Sequence, residues 1–402
     1  MNDCKTINRV LNDITKTLNR FEKDDDHGLL TGSCGRTLFY AYYYKLTGKK
    51  SYLNKVYNII ETTIKALGEK EFIYSHCSGL AGIAWCIRHL INNQILDQDT
   101  EDIFDEIDEI LFQQMKEDME MFRFDFLHQG LGIALYFLEK LPDAKARQYL
   151  EEAVSLLESA IVSTETGICW KDTFTILNEA TSHSTFYNTG LAHGVPAALS
   201  ILSLIYEKGI AVERTRPIIE KGLQWLVSTR NEPGTNCISL YPTHVTENNK
   251  TIGKTTSRLG WCYGDLSVGI TLWNIGTRLQ NDCYKREAID IFKHTLQYRN
   301  KENGGIVDAS LCHGSMGVSH LFRRVHLAAG DSSLLEGSEN WLEQTLQMRT
   351  WEDAPAGFKF YTQYGYQNNY NLLEGITGIG LGLIAALDKD NAPDWDRCLL
   401  MS

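Results

Sequence analysis

Two cysteines and a histidine stand at matched places in the chain. The stretch "RLGWCYGDLSVG" (258–269) carries Cys262 two residues before a glycine. The stretch "LCHGSMGV" (311–318) carries Cys312 two residues before a glycine and His313 directly before it. Two thiolates and an imidazole make a good zinc shell, and three protein ligands with a fourth position open mark a catalytic rather than a structural site. A lone cysteine is more often a small buried hydrophobe. Two at matched positions, one of them followed by histidine, favour the metal. Cys77 also precedes a glycine, Gly79, by two residues, so spacing alone does not exclude it as a ligand.

Residues so far apart need a scaffold that gathers them. The chain aligns on a Gly-x-x-Gly step followed by an apolar run: "TGSCGRTLFYAYYY", "CSGLAGIAWCI", "HQGLGIALYFL", "AHGVPAALSIL", "CYGDLSVGITL", "CHGSMGVSHLF" and "LEGITGIGLGL". The first glycine position falls at Gly32, Gly79, Gln129, Gly194, Gly264, Gly314 and Gly375, while Ala197 and Ser267 replace the second glycine of the fourth and fifth copies. Seven units in 402 residues, about 57 each, suit a repeat of helical hairpins. Between the steps lie helices with one apolar stripe: Ile7, Val10, Leu11, Ile14, Leu18 and Phe21; then Leu53, Val56, Ile60, Ile64 and Leu67; then Phe104, Ile107, Leu111 and Met115. The runs after the steps, such as "GIALYFL" and "GIGLGLIAAL", are apolar most of the way round, which predicts burial on most sides.

One striped helix followed by one buried helix, seven times over, predicts an all-α closed double ring: an α/α toroid of seven inner and seven outer helices, one domain over 1–402. An open superhelix would need polar capping repeats, and the seventh unit is the most apolar. In a closed ring every inner helix runs the same way, so residues just ahead of the steps crowd around one mouth. Counting back from the first glycine position gives His193, Tyr263, His313 and Glu374 at minus one. Cys77, Cys262 and Cys312 stand at minus two, Asp125 at minus four and Arg258 at minus six. Helix N-termini at that mouth favour thiolates and developing anions. Three irregular stretches, 163–190, 231–260 and 351–371, break the helical period and predict short strands or loops at that end. Tyr361, Tyr364, Tyr366 and Tyr370 are available there to grip a peptide or simply to pack.

Composition removes several classes of function. The net charge is −12 with no concentrated Lys/Arg tract, which argues against nucleic-acid binding. The longest apolar run, "GITGIGLGLIAAL", is too short and too rich in glycine to span a bilayer. The stretch "MNDCKTINRVLNDITKTLNRF" has no basic flank followed by an apolar segment, so no export signal is expected. A cytoplasmic protein follows, with its ten cysteines in a reducing compartment and no disulfide framework.

The set "WCYG", "CHG" and "AHG" on a sevenfold Gly-x-x-Gly helical repeat resembles the LanC family, the lanthionine synthetase C-like cyclases, over essentially the whole chain. The resemblance implies one zinc held by Cys262, Cys312 and His313. It implies His193 as the acid/base, Arg258 and Tyr263 as active-site residues, and Asp125 as the aspartate ahead of the third step, where Gln129 departs from the pattern. Cys77 has no ligand role in the family. The implied reaction joins a cysteine thiol of a dehydrated precursor peptide to a dehydroalanine or dehydrobutyrine, giving a thioether ring. A lantibiotic dehydratase and an export transporter are the implied partners. Other readings are addition of glutathione to dehydro residues of proteins, and a peptide-binding scaffold without catalysis. A glycan-processing toroid is a further one; it would need paired carboxylates, for which only Asp125 and Glu374 offer themselves.

The ligand assignment is open to direct measurement. Metal analysis of the purified chain should find about one zinc, the load of one three-ligand site. Cys312→Ala should lose most of it and Cys77→Ala should retain it. Loss of zinc from Cys77→Ala would replace the ligand set.

Overall fold

The computed structural model describes residues 4–21, 25–97, 104–174, 185–232, 238–246, 248–252 and 256–402. Within them, each of the seven steps opens a helix. These step helices are α2 (Ser33–Thr47), α4 (Leu80–Asn92), α6 (Gly130–Lys140), α8 (Val195–Glu207), α10 (Asp265–Arg278), α12 (Ser315–Ala329) and α14 (Ile376–Leu387). The first glycine position is the N-cap of every one: Gly32, Gly79, Gln129, Gly194, Gly264, Gly314 and Gly375. Alternating with them run α1 (Cys4–Arg20), α3 (Lys50–Glu69), α5 (Phe104–Glu120), α7 (Ala144–Ser159), α9 (Val212–Ser228), α11 (Asp282–Tyr298) and α13 (Ser332–Gln347). No described helix is long and apolar enough to cross a membrane.

Burial separates the two sets. Helix α14 buries Ile376 through Ala385 without a break. Helix α11 buries only Ala288, Ile291, Phe292 and Thr295, one stripe of its surface. Helix α1 buries Ile7, Val10, Leu11, Ile14 and Leu18, as its periodicity predicts, while Phe21 falls just beyond the helix and stacks on Tyr370 at 4.2 Å. In α3 the stripe is narrower than the sequence suggests: Val56 and Ile60 are buried, but Leu53, Ile64 and Leu67 are only half-buried.

The chain divides into two compact units, Met1–Ile107 with Ile306–Trp395, and Asp108–Gly305 with Asp396–Ser402. In the first, α14 packs against both α2 and α12, and α2 also packs against α4. The last step helix is thus the neighbour of the first. Helices α1, α3 and α13 pack against α14, α2 and α12 respectively. In the second unit α8 packs against both α6 and α10, with α7, α9 and α11 against their preceding step helices. The irregular stretches supply three two-stranded antiparallel ribbons, as expected. These are β1 (Val162–Thr164) with β2 (Gly167–Cys169), β3 (Phe186–Asn188) with β4 (His244–Thr246), and β5 (Phe360–Thr362) with β6 (Gly365–Gln367).

The glycines of the step serve a close backbone approach. A Cβ on Gly32, Gly79 or Gly194 would collide with the backbone carbonyl of Asp26, Ile73 or Asn188. A Cβ on the second glycines Gly82, Gly317 or Gly378 would collide with the carbonyl of His76, Leu311 or Leu372. Each of these carbonyls lies six residues upstream, so the chain folds back over the first turn of the helix it is about to enter. Gln129 has an ordinary φ of −130°, and its Oε1 accepts from the Asp125 backbone N–H at 3.1 Å, so this side chain closes the loop itself. Ser267, in place of a second glycine, accepts from the Leu191 N–H at 2.7 Å and ties the α10 step to the α8 step.

Gly264 differs from the other caps in its backbone. Its φ of 83° and ψ of −158° lie in a region closed to other residues, and a Cβ there would stand 2.6 Å from the Arg258 carbonyl oxygen. Gly330, which caps α12 at φ 71°, has nothing within 4 Å of its Cβ direction. Gly264→Ala should therefore cost about 3 kcal/mol in urea unfolding and Gly330→Ala about 1 kcal/mol. Equal losses would mean that the 258–264 loop yields freely.

Candidate active site and metal ligands

The loop that ends at Gly194 places His193 directly before the N-cap of α8. Its Nδ1 lies 2.6 Å from Asp125 Oδ2, and the Asp125 side chain is wholly buried. Asp125 is held from further sides: Oδ1 accepts from the His128 N–H at 2.8 Å, and its backbone N–H donates to Gln129. A carboxylate can only accept, so the hydrogen bond assigns the proton to Nδ1 and leaves Nε2 for proton exchange. Phe174 stacks on His193 at 5.5 Å and on His128 at 4.9 Å. Asp125, Asp172, Phe174, Asn188 and His193 line one small cavity.

The three histidines of this unit that gather here are tuned apart. Burial alone would lower the pKa of His193, but the hydrogen bond and charge of Asp125, with Cys262 and Asp172 behind, raise it above the ordinary imidazole value. Burial lowers His128, with Asp125 opposing and His193 adding to the shift. Burial pushes His244 down to about 4, against the pull of Asp172. His193 is thus held toward its charged form while the other two are held neutral.

The α10 loop abuts the α8 loop. The Cys262 carbonyl accepts from the Ala192 N–H at 3.4 Å, and the ring of Tyr263 lies 6.1 Å from that of His193. Cys262 is buried and Tyr263 half-buried. Arg258 is exposed, on a segment pinned beneath by Arg299. The guanidinium of Arg299 donates to the Ser257 carbonyl at 2.6 Å and to Asp265 Oδ2 at 2.8 Å, with both side chains of that ion pair fully buried. Asp265 Oδ1 in turn accepts from the Tyr241 N–H at 2.9 Å.

Cys312 and His313 stand on the α12 loop of the other unit. Cys312 is buried and donates its N–H to the Leu373 carbonyl at 3.0 Å. His313 is half-buried, with its ring 5.5 Å from Phe360 of β5. Asp308 fixes that loop, accepting from the Ser310 N–H at 2.9 Å and from the Tyr361 N–H at 3.1 Å. Buried thiols and a half-buried imidazole, each just ahead of a helix N-terminus, are a donor set that suits zinc. Cys77 is also buried, and its carbonyl accepts from the Leu30 N–H at 2.8 Å; Glu374 donates its N–H to Asn371 Oδ1 at 2.7 Å. Sequence counting left out His128, although it too stands at minus one, directly before Gln129. It also missed Asp172, Asn188 and His244, which lie in irregular stretches with no repeat register.

The His193–Asp125 pair has a measurable pH signature. A pKa raised by folding contributes stability that is fully present below the unfolded value of about 6.5 and is lost as pH rises through the folded value. The difference in unfolding free energy between wild type and Asp125→Asn should therefore be larger at pH 6 than at pH 9. The His193 imidazole resonance should titrate lower in the variant. A gap that does not change with pH would show that the pair does not hold His193 charged.

A family model described as "Lanthionine synthetase C-like protein" matches residues 23–400. No curated protein sequence matches the chain. Among solved structures, nisin cyclase superposes with a TM-score of 0.75 at 21% identity, covering 98% of this chain and 97% of that one. A sugar epimerase from a ruminal bacterium superposes with a TM-score of 0.50 at 12% identity, covering 97% of this chain and 100% of that one. At such identities the likeness establishes the fold, and the fold shared with nisin cyclase is the α/α toroid expected from the repeat. With its family model spanning nearly the whole sequence, the chain belongs to the lanthionine synthetase C-like family.

Proposed function

We propose that the protein is a zinc-dependent lanthionine cyclase, a single LanC-like domain over 1–402. It would act in the cytoplasm on a dehydrated ribosomal precursor peptide, alongside a lantibiotic dehydratase and an export transporter. The observation that carries this reading is the Asp125-held His193 on the loop that abuts the Cys262 loop. Membership of the family and the name of nisin cyclase, whose fold the chain shares, support it. Zinc bound by Cys262, Cys312 and His313 would supply a lowered pKa to a substrate thiol at its open position.

The remaining chemistry falls to side chains. A peptide thiolate adds to the β-carbon of dehydroalanine or dehydrobutyrine, forming the carbon–sulfur bond. The alkene electron pair moves to the carbonyl oxygen as an enolate. The permanent charge of Arg258 suits that oxygen. Collapse of the enolate requires one proton at the α-carbon, and His193, held charged by Asp125, delivers it from Nε2. Asp125 keeps the imidazole in one tautomer and one orientation throughout. The Tyr263 hydroxyl, next in sequence to Cys262, would hydrogen-bond near the reacting sulfur.

A synthetic peptide with one dehydroalanine and one cysteine, followed by thiol disappearance and chiral analysis of the thioether amino acid, tests the assignment. His193→Ala should keep its zinc and helicity, slow ring closure by roughly 10²–10⁴-fold, and lose control of stereochemistry at the α-carbon. Wild-type rate and stereochemistry in a zinc-replete His193→Ala protein would remove His193 from the mechanism. Faster consumption of glutathione than of the internal cysteine by the wild type would shift the reading to small-thiol addition.

A further inference from the structure

The β3–β4 ribbon belongs to no repeat, yet one of its residues touches several parts of the site. Asn188, the last residue of β3, is almost wholly buried. Its Oδ1 accepts from the Gly190 N–H at 2.8 Å. That contact settles which way the amide faces. The opposite end, Nδ2, donates to Asp172 Oδ2 at 2.9 Å and lies 3.3 Å from the Tyr263 hydroxyl. The backbone carbonyl of Asn188 occupies the place that a Cβ on Gly194 would need. Asn188 therefore contacts the step that carries His193, a buried carboxylate, and the hydroxyl of the residue that follows Cys262.

We infer that Asn188 is the positioning residue that fixes the Tyr263 hydroxyl relative to His193, an inference that rests on the function proposed above. Ring packing sets the plane of Tyr263, against His193 at 6.1 Å and His244 at 5.7 Å. Ring packing does not set which hydrogen-bond role the hydroxyl takes. Asn188 does, because an amide nitrogen can only donate, so the tyrosine oxygen accepts on that side and its own proton is directed elsewhere. Asp172 locks the arrangement. Turning the amide over would set its oxygen against the buried Asp172 carboxylate and its NH₂ against the Gly190 N–H, a double mismatch in a poorly solvated place. An apolar residue at 188 could continue β3 equally well. It would leave Asp172 and Tyr263 without this donor.

The test uses the full-length, zinc-loaded chain and the synthetic dehydroalanine–cysteine peptide. Asn188→Ala and Asn188→Asp should each lower kcat roughly 10- to 100-fold, the scale of a misplaced catalytic group, with KM nearly unchanged. The aspartate variant keeps the acceptor for Gly190 and exchanges the donor for an oxygen set against Asp172. It thus reverses the role offered to the Tyr263 hydroxyl, and the tyrosine resonance below reads that change where the alanine variant fails to fold. In a Tyr263→Phe background, Asn188→Ala should add little further loss, because its partner hydroxyl is already gone. A full additional loss there would overturn the inference, since it would show Asn188 acting independently of Tyr263. A second readout needs no turnover. The ζ-carbon resonance of Tyr263 in tyrosine-labelled protein, assigned by its absence from Tyr263→Phe, should move in both Asn188 variants. An unmoved resonance would also overturn the inference. Should the wild type leave the peptide unchanged, the functional reading fails and the tyrosine resonance alone decides the role of Asn188.

Discussion

The close passage of a backbone carbonyl over the first turn of six of the seven step helices is the constraint on which the site depends. Where the carbonyl six residues upstream meets the glycine of the step, the intervening residues must bulge into a tight loop directly before a helix N-terminus. Such loops carry His193, Cys262, Tyr263, Cys312 and His313, the residues assigned under the proposed function, and Arg258 supplies one of the carbonyls. A side chain on the glycine would open the loop and move the groups at minus one and minus two by ångströms, a displacement that chemistry does not tolerate. The step is therefore at once a folding device and a means of aiming side chains. It also sets helix N-termini beside Cys262, Cys312 and His193, where their dipoles favour negative charge.

Where the step departs from glycine, another contact does the same work. Gln129 closes its loop with a side-chain carbonyl, and Ser267 closes a joint between two loops with its hydroxyl. The 258–264 loop, which turns through the one step-helix N-cap with a positive φ, rests on the buried Arg299–Asp265 pair. Breaking one partner of such a pair leaves an uncompensated buried charge, so the pair is costly to lose even though forming it contributes little net stability. Its role here is geometric: Arg299 binds the Ser257 carbonyl and Asp265 binds the Tyr241 N–H, which fixes the floor beneath Arg258 and Cys262.

Much of this was legible in the sequence because it repeats. The glycine positions read as steps are N-caps, and the runs after them are the most buried helices. The α1 stripe is buried as its period predicts. Legibility ended where periodicity ended. The pairing of 186–188 with 244–246 spans two intervening helices, and three-residue strands carry no alternation long enough to read. Asp172, Asn188 and His244 were invisible for that reason. His128 was legible, since it stands at minus one of the third step in the same register that found Asp125. In α3 the periodicity predicts too broad a stripe, because Leu53, Ile64 and Leu67 lie at its margin and stay half-buried. The expectation that Cys262, Cys312 and His313 hold a metal rests on donor chemistry and family resemblance, as spacing alone also admits Cys77.

Three histidines of one unit show how the fold divides labour among identical side chains. His193, His128 and His244 all suffer burial, which by itself favours the neutral ring. Only His193 receives a carboxylate hydrogen bond at 2.6 Å, and only there does the pull toward the charged form win. His128 shares the same carboxylate, but through its backbone N–H rather than its ring. His244 faces Asp172 from 3.8 Å, too far for a hydrogen bond, and burial prevails. A charged His193 repels a second proton on either neighbour, which reinforces their neutrality. The fold therefore favours the charged form at His193 and the neutral form at the imidazoles around it, an asymmetry on which the proposed protonation of a single carbon face would draw.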